Sequence, residues 1–189
     1  MTGQPEIRIQ LPPWMQAFLE AAPRTFGGDT QAMEMAIALA RENTRQGTGG
    51  PFGALVLESA SGRLLAAGVN LVVTANCSLA HAEMVALASA QQQLGHFDLA
   101  QVVPGGCTLV SSAEPCAMCM GALPWSGASR LVCGARDQDV RSVGFDEGDK
   151  PADWVDAYRR RGITVTRDCL RGPALEVLRD YAASGGIIY

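Results

Sequence analysis

Basic residues are too few and too scattered in this sequence to suggest a nucleic-acid partner. The 189-residue chain has 15 Lys and Arg against 19 Asp and Glu, which gives a net charge of −4 and a pI of about 5.1. Proteins that bind nucleic acid usually carry a basic patch or stripe. The one basic run, Arg159 to Arg161, follows apolar residues at helical spacing, so a solvated helix face explains it better than RNA binding does.

Long apolar runs are also missing. Gly, Gln or charged residues interrupt every apolar stretch well short of the roughly 18 residues that a membrane helix needs. No signal-peptide pattern is visible at the start of the sequence. We therefore expect a soluble, cytoplasmic protein with no membrane partner.

The six cysteines do not form the pattern of a disulfide framework. Four of them stand singly, mostly inside apolar or strand-like runs, and this favours buried free thiols in a reducing compartment: Cys77, Cys107, Cys133 and Cys169. The other two form a Cys-x-x-Cys pair at Cys116 and Cys119. Histidine is scarcer still, because only His81 and His96 are present.

The hydrophobic pattern predicts one α/β domain. Hydrophobic residues make up 48% of the chain, enough for one substantial core. A hairpin is followed by alternating helical and strand-like stretches, which predicts an α/β/α layered fold with a five-stranded mixed sheet over residues 29–189. Residues 1–28, rich in Pro and Gln, are assigned to an N-terminal extension. The predicted strands are 52–58, 64–69, 107–112, 129–134 and 163–167, and the predicted helices are 30–45, 81–94, 153–161 and 173–183, with a short helix at the cysteine pair.

The scarce histidine and the cysteine pair together have the chemistry of a zinc site. Zinc prefers imidazole nitrogen and thiolate sulfur, and a catalytic site uses three protein ligands and leaves the fourth position to water. Cys116 and Cys119, at positions i and i+3, share one face of a helix that Pro115 would begin. A closed structural zinc site would need a fourth protein ligand. The one remaining histidine, His96, is predicted to lie in a loop after a helix and is given no role. We therefore predict one catalytic Zn²⁺ per subunit, held by His81, Cys116 and Cys119.

Glu83 lies two positions after His81, where it suits proton transfer better than metal binding. Zinc lowers the pKa of a bound water to about 7, so a nearby carboxylate can take its proton and deliver it to a leaving group. These residue types together indicate hydrolytic deamination.

From about Thr30 to the C-terminus the chain resembles the cytidine deaminase superfamily, and more closely its guanine deaminase branch. Residues 81–83 and 115–119 carry the H-x-E...P-C-x-x-C signature of zinc nucleobase deaminases. Residues 49–54 look like the substrate-side loop of the family, and residues 68–70 look like its purine-binding element. Residues 144–147 resemble an acidic loop of the guanine branch, and Tyr189 resembles a tyrosine that closes the pocket there.

The resemblance implies that Phe52 packs on the base and that Asn70 hydrogen-bonds the purine edge. Each residue also has an ordinary structural explanation, since Phe52 could be core packing and Asn70 a turn residue. The N–H of Ala82 and a carbonyl at or near Pro115 would orient the base and the departing amine. Trp125 would wall the pocket, although core packing explains it at least as well.

Chemical grounds favour different roles for the two acidic residues of the loop, and the sequence leaves open which of them is the second proton donor. A carboxylate is an acceptor and can hold the N1–H and amino donors of guanine, a role assigned to Asp146. Glu147 is assigned as a second catalytic residue that protonates the leaving amine, a step that Glu83 could also perform. A solvated acidic loop is the alternative for both.

The expected reaction is the conversion of guanine to xanthine and ammonia by attack of zinc-bound hydroxide at C2. By resemblance the partner is a second copy of the chain, in a homodimer whose C-terminal segment, including Tyr189, is exchanged between subunits. The alternatives are a tRNA adenosine deaminase, a cytosine or cytidine deaminase, and a nonenzymatic zinc-binding module. Aminotriazines with the same amino and carbonyl edge remain candidate substrates.

Overall fold

A five-stranded mixed sheet forms the centre of the computed structural model, which describes residues 7–189. Its spatial order is β2-β1-β3-β4-β5. Strand β1 runs antiparallel to both β2 and β3, whereas the β3–β4 and β4–β5 pairs are parallel. The strands are β1 (Gly53–Glu58), β2 (Leu64–Val69), β3 (Cys107–Ala113), β4 (Ala128–Ala135) and β5 (Thr164–Thr166). The predicted five-stranded mixed sheet is confirmed.

Helices cover both faces of this sheet, which gives the predicted α/β/α layers. The helices are α1 (Trp14–Ala21), α2 (Asp29–Arg45), α3 (Ala82–Leu94), α4 (Ala117–Ala122), α5 (Asp137–Ser142), α6 (Trp154–Arg160) and α7 (Arg171–Ala183). In β1, Leu55 and Leu57 face the core under α2 and α7, whereas Ala54 and Val56 face the core under α3 and α6. This alternation is what a strand buried on both faces requires.

Antiparallel pairing brings the start of β1 beside the ends of β2 and β3. Gly53 pairs with Val69, and Ala54 pairs with Ser111. The residues just outside these pairs, Phe52 and Asn70, therefore lie at one edge of the sheet, near the end of β3. The cysteine half of the signature follows β3 at this same edge.

Close packing of α3 on the sheet depends on Gly68. A Cβ atom at this position would lie 2.4 Å from the Ala82 carbonyl oxygen and 2.4 Å from the Ala86 nitrogen. No real Cβ tolerates such contacts, so glycine alone lets the first turn of α3 approach β2 this closely. His81 at the start of α3 is positioned by this contact.

Two helices were not predicted. Helix α1 lies within the N-terminal extension, and the described part of that extension packs against the rest of the chain: Met15 and Phe26 belong to the core, and Trp14 Nε1 donates to Thr48 Oγ1 at 3.0 Å. The division at residue 28 stays a prediction. Helix α5 has six residues and too little apolar periodicity for detection; it is stabilised by polar contacts.

The four single cysteines are free thiols. Cys107 and Cys133 are buried, as predicted, whereas Cys77 and Cys169 are only half-buried because they lie in loops outside the sheet. Among the helices of residues 7–189, none has the length and apolar character needed to cross a lipid bilayer.

Asp139 provides a test of how polar contacts hold α5. Its buried carboxylate accepts hydrogen bonds from the Arg136 N–H at 2.8 Å and from Arg171 Nε and Nη2 at 2.7 and 2.8 Å. We predict that Asp139→Asn lowers the free energy of unfolding at pH 7 by about 1–3 kcal/mol, the usual cost of losing charge-assisted hydrogen bonds. Asp156→Asn, at an exposed ion pair with Arg159, is the control and should change stability by less than about 1 kcal/mol.

The ion pair between Asp139 and Arg171 also predicts that the free energy of unfolding depends on pH. The hydrogen bond from Arg171 lowers the pKa of Asp139 below its ordinary value. The carboxylate therefore stabilises the fold above its unfolded pKa of about 3.9, and this contribution is lost as the pH falls through the lower folded pKa. Urea unfolding of the unmodified protein and of Asp139→Asn measures the difference between their free energies of unfolding at each pH. This difference should shrink at acid pH, and a difference that stays constant would contradict an electrostatic origin.

Candidate metal centre and active site

Two helix N-termini converge at the sheet edge described above. His81 is the N-cap residue of α3 and Cys116 is the N-cap residue of α4, both with extended backbone. Neither side chain caps its own helix, which leaves the imidazole and the thiol available as ligands. Cys119 lies one turn into α4 and is buried. The predicted placement at helix starts is confirmed.

The ligand atoms of His81, Cys116 and Cys119 all lie within 4.8 Å of one another. Cys116 Sγ is 3.5 Å from His81 Nδ1. Tetrahedral zinc with bonds of about 2.3 Å to sulfur and about 2.0 Å to nitrogen would separate two such ligand atoms by roughly 3.6 Å. Within the described residues this is the one group of three metal-binding side chains. The donor set and its spacing therefore fit zinc.

Thiolate character at the cysteine pair supports this fit. A hydrogen bond from Cys119, helped by one from His81, lowers the pKa of Cys116 to about 4 although burial opposes the shift. The same hydrogen bond raises the pKa of Cys119, so in the absence of a metal the two sulfurs share one proton. A thiolate is the form of cysteine that binds metal, and zinc removes the second proton.

Glu83 points into the same buried region. It lies in the first turn of α3, is only 7% exposed, and accepts a hydrogen bond from Ser111 Oγ at 3.3 Å. Burial raises its pKa, and the nearby Cys116 thiolate raises it further. A buried carboxyl group with a raised pKa holds a proton more readily than an exposed one, as a group that transfers protons must.

The two acidic residues of the loop before α6 point in opposite directions. Glu147 is buried, and burial is the main reason that its pKa rises to about 8, against the opposing effect of Lys150. The Asp146 side chain is 82% exposed and accepts a hydrogen bond from the Gly148 N–H at 2.9 Å. The orientation of Asp146 does not support the expected contact between its carboxylate and the substrate.

Instead, the Asp146 backbone holds the C-terminus. Its N–H donates to the Tyr189 backbone oxygen at 3.1 Å. The Tyr189 hydroxyl in turn donates to Asn70 Oδ1 at 2.7 Å, and its ring meets the edge of Phe145 with centroids 5.4 Å apart. The last residue of the chain therefore lies inside the cavity of its own subunit.

Aromatic rings and Asn70 wall the cavity in front of the metal ligands. Phe52 meets the Phe145 ring at 5.1 Å in an edge-on arrangement. Asn70 is fully buried, and the Asn43 side chain fixes its backbone by donating to the Asn70 carbonyl at 2.8 Å. With Tyr189 in place, the free volume is about 20 Å³, room for about one water molecule. The lining residues are Phe52, Asn70, His81, Glu83, Ala113, Glu114, Cys116, Phe145, Asp146, Glu147 and Tyr189.

Three other predicted groups have different fates. Ala82 is the first residue of α3, so its N–H has no partner within the helix and faces the end where the ligands converge. The Pro115 carbonyl accepts a hydrogen bond from Lys150 Nζ at 3.0 Å. Trp125 is 77% exposed and lines a separate groove beside α6, so the expectation that it walls this cavity is corrected: the turn after α4 points its ring outward.

Sequence reasoning missed Asn43 and Lys150. Asn43 carried a usable signal, because it is a polar residue on the apolar face of a predicted helix. Lys150 carried none, because a lysine in an acidic loop is normally solvated.

Residues 28–135 match the family model of the cytidine and deoxycytidylate deaminase zinc-binding region. The chain belongs to this family. The matched segment contains His81, Glu83, Cys116 and Cys119, so membership in this family of zinc-binding deaminases agrees with the geometry of the metal centre.

Similarity to guanine deaminases extends beyond the zinc-binding region. The guanine deaminase of Bacillus subtilis strain 168 is 37% identical over 127 residues, which are 64% of this chain and 77% of that protein. A solved guanine deaminase from Nitrosomonas europaea is 45% identical, covers 94% of this chain and 97% of its own, and has a TM-score of 0.89. The structure of NE0047 in complex with 2,6-diaminopurine is 46% identical, covers 97% and 96%, and has a TM-score of 0.90. Three tRNA-specific adenosine deaminases also match, each over half of this chain or less.

Removing one ligand tests the metal centre. Loss of an outer partner of a metal ligand typically costs about 10- to 100-fold in affinity, so we predict that Cys116→Ala weakens zinc binding more than about 100-fold. Cys77→Ala, which removes a half-buried thiol outside the centre, should bind one zinc per chain like the unmodified protein. Competition with a chromogenic chelator measures both affinities. Equal affinities would show that Cys116 is not a ligand.

Proposed function

We propose that this protein is a zinc-dependent guanine deaminase that converts guanine and water to xanthine and ammonia. The observation that carries the proposal is the convergence of Glu83 and Glu147 on one cavity that also holds the His81 and Cys116 ligand atoms. A hydrolytic deaminase needs this combination, because one proton must leave water and protons must reach the ring and the amine. The similarity to guanine deaminases over nearly the full chain supports this choice of base.

Glu83 is assigned the first proton transfer. A zinc ion held by the three ligands would lower the pKa of a water ligand to about 7 and so supply the nucleophile at neutral pH. Glu83 lines the cavity that holds these ligand atoms, where it would accept a proton from the attacking water and would deliver it to the ring nitrogen beside C2. Its hydrogen bond from Ser111 keeps the carboxylate oriented for both steps.

Glu147 is assigned the second proton transfer, to the leaving amine. Water forms the new C2–O bond, and the C2–N bond to the amino group breaks as Glu147 protonates the amine, which departs as ammonia. The C2 hydroxyl then loses its proton to become the carbonyl of xanthine, and this proton returns to Glu147. Glu147 is buried and lines the same cavity as Glu83, which suits it to this step.

Asn70 and the aromatic ring of Phe52 are assigned to substrate recognition. The buried Asn70 amide offers a donor and an acceptor, which together match a purine edge and discriminate strongly when buried. Phe52 provides an aromatic face for the base, an interaction worth about 1–3 kcal/mol in nucleic-acid binders. Since the cavity has room for about one water molecule with Tyr189 inside, the tail must move for guanine to enter.

We further propose that the protein is a homodimer in which the C-terminal tail can serve the partner's cavity. The tail of one chain reaches its own Asn70, so exchange is not needed to complete the pocket. A test must therefore distinguish the two arrangements directly.

Substrate profiling with a Glu83 variant tests the function. We predict ammonia release from guanine but not from guanosine, cytosine, cytidine, adenine or adenosine. Glu83→Gln should keep one zinc per chain and lose about 100- to 10,000-fold in kcat, the usual contribution of a general acid and base. Glu34→Gln, on the exposed face of α2, should behave like the unmodified enzyme.

The outcomes separate the alternatives. Turnover of adenine or cytosine compounds would keep the chemistry and overturn the choice of guanine, and binding to tRNA at physiological salt would favour the tRNA deaminase. Bound zinc without ammonia release from any nucleobase would identify a nonenzymatic zinc module.

Tail exchange predicts complementation between two inactive variants. One variant is Glu83→Gln, and the other lacks residues 187–189 and so has no Tyr189. If the two are unfolded and refolded together in equal amounts, an exchanged tail restores one of two sites in half of the dimers, or about a quarter of full activity. An inactive mixture whose heterodimers are verified by mass would rule out exchange and leave each tail with its own subunit.

A further inference from the structure

Lys150 is the only lysine in the sequence, which has arginine at every other strongly basic position. Its side chain is only 7% exposed. The Nζ atom meets three oxygens from three segments: the Pro115 carbonyl at 3.0 Å, Asp137 Oδ1 at 2.6 Å and Glu147 Oε2 at 3.5 Å. An ammonium group has three donors around one point, whereas the guanidinium of arginine is a planar fork. Lys150 Nζ donates hydrogen bonds to the Pro115 carbonyl and to Glu147, and its contact with Asp137 is an ion pair.

Burying an ammonium group is costly, so a buried lysine is a poor means of merely closing a loop. Asp137 also pairs with Arg141, which anchors this carboxylate to α5. The other two partners lead to the active site: Pro115 immediately precedes the ligand Cys116, and the Glu147 backbone oxygen accepts from the Ala117 N–H at 2.9 Å. Lys150 itself does not line the cavity.

We propose that Lys150 is a positioning residue that aims the Glu147 carboxylate at the reacting amine. This inference rests on the proposed function, in which Glu147 protonates the amine. The contacts of the Lys150 ammonium group link Asp137, which is fixed on α5, to the Glu147 carboxylate in the cavity. Loss of the ammonium would free Glu147 to turn or shift while the base could still bind.

A double-mutant cycle tests this coupling with guanine as substrate. Lys150→Met should lower kcat about 100-fold, the size of effect that a misplacement of about 1 Å produces, with KM changed less than about threefold. In a Glu147→Gln background the same change should lower kcat less than about threefold, because the group that Lys150 positions is already gone. Equal losses in both backgrounds, or no loss in the first, would overturn the proposal.

A second readout does not depend on activity. Because Lys150 is the only lysine, ¹⁵N-lysine labelling gives one Nζ signal in an NMR spectrum. We expect a slowly exchanging ammonium signal that shifts in Glu147→Gln and does not shift in Glu34→Gln. A fast-exchanging signal that is insensitive to Glu147→Gln would overturn the contact itself.

Folding defects are separated by a matched pair. If Lys150→Met does not fold, its effect is measured in an Asp137→Asn background, where the side-chain atom that faces Lys150 no longer belongs to a charged group. In that background Lys150→Met should again lower kcat strongly when Glu147 is present and only slightly when Glu147→Gln is also made. Failure of the unmodified enzyme to release ammonia from guanine would overturn the proposed function. If guanine is turned over but Lys150→Met lowers kcat by the same factor with and without Glu147→Gln, only the role of Lys150 is overturned.

Discussion

The concentration of negative charge in a dry site is the constraint on which this structure depends. Glu83, Glu147 and the Cys116 thiolate lie around one narrow cavity, and like charges at short range in a low-dielectric interior repel strongly. The raised pKa values of both carboxyl groups are the direct result of burial and of this repulsion. Such a site is stabilised by protons on the carboxyl groups and by nearby positive charge.

Three sources of positive charge are built around the cavity. The N-terminus of α3 directs its unpaired N–H groups toward the centre, which favours the thiolate and Glu83. Lys150 supplies one full charge behind Glu147. A zinc ion at the three ligands would supply two more. The order of the chain serves this arrangement, because the antiparallel start of the sheet brings Phe52 and Asn70 to the edge where the ligand-bearing helices begin.

Much of the fold and the metal centre could be predicted from the sequence. The strands follow apolar runs bounded by turns, and His81 and Cys116 lie where helix-start chemistry places them. Helix α5 escaped prediction because its stability comes from Asp139 and its arginine partners, distant in sequence, rather than from an apolar face. The metal ligands were accessible because zinc chemistry restricts residue type and spacing together.

Side-chain direction in loops was the part that the sequence could not provide. Asp146 and Glu147 are neighbours with the same chemistry, and only the fold reveals that one faces solvent and the other the cavity. Trp125 was assigned to the pocket from its nearness to the cysteine helix, yet the turn directs it outward. Lys150 could not be recognised from the sequence, because its three partners come together only after the chain has folded.

The burial of the single lysine also determines how the protein reacts with reagents that modify amines. The sequence has no other lysine, and the ammonium of Lys150 is shielded among three oxygens. An aldehyde or an active ester would therefore find no freely accessible lysine side chain in the folded protein. Modification of Lys150 would report the opening of the loop that carries it and not the chemistry of an exposed amine.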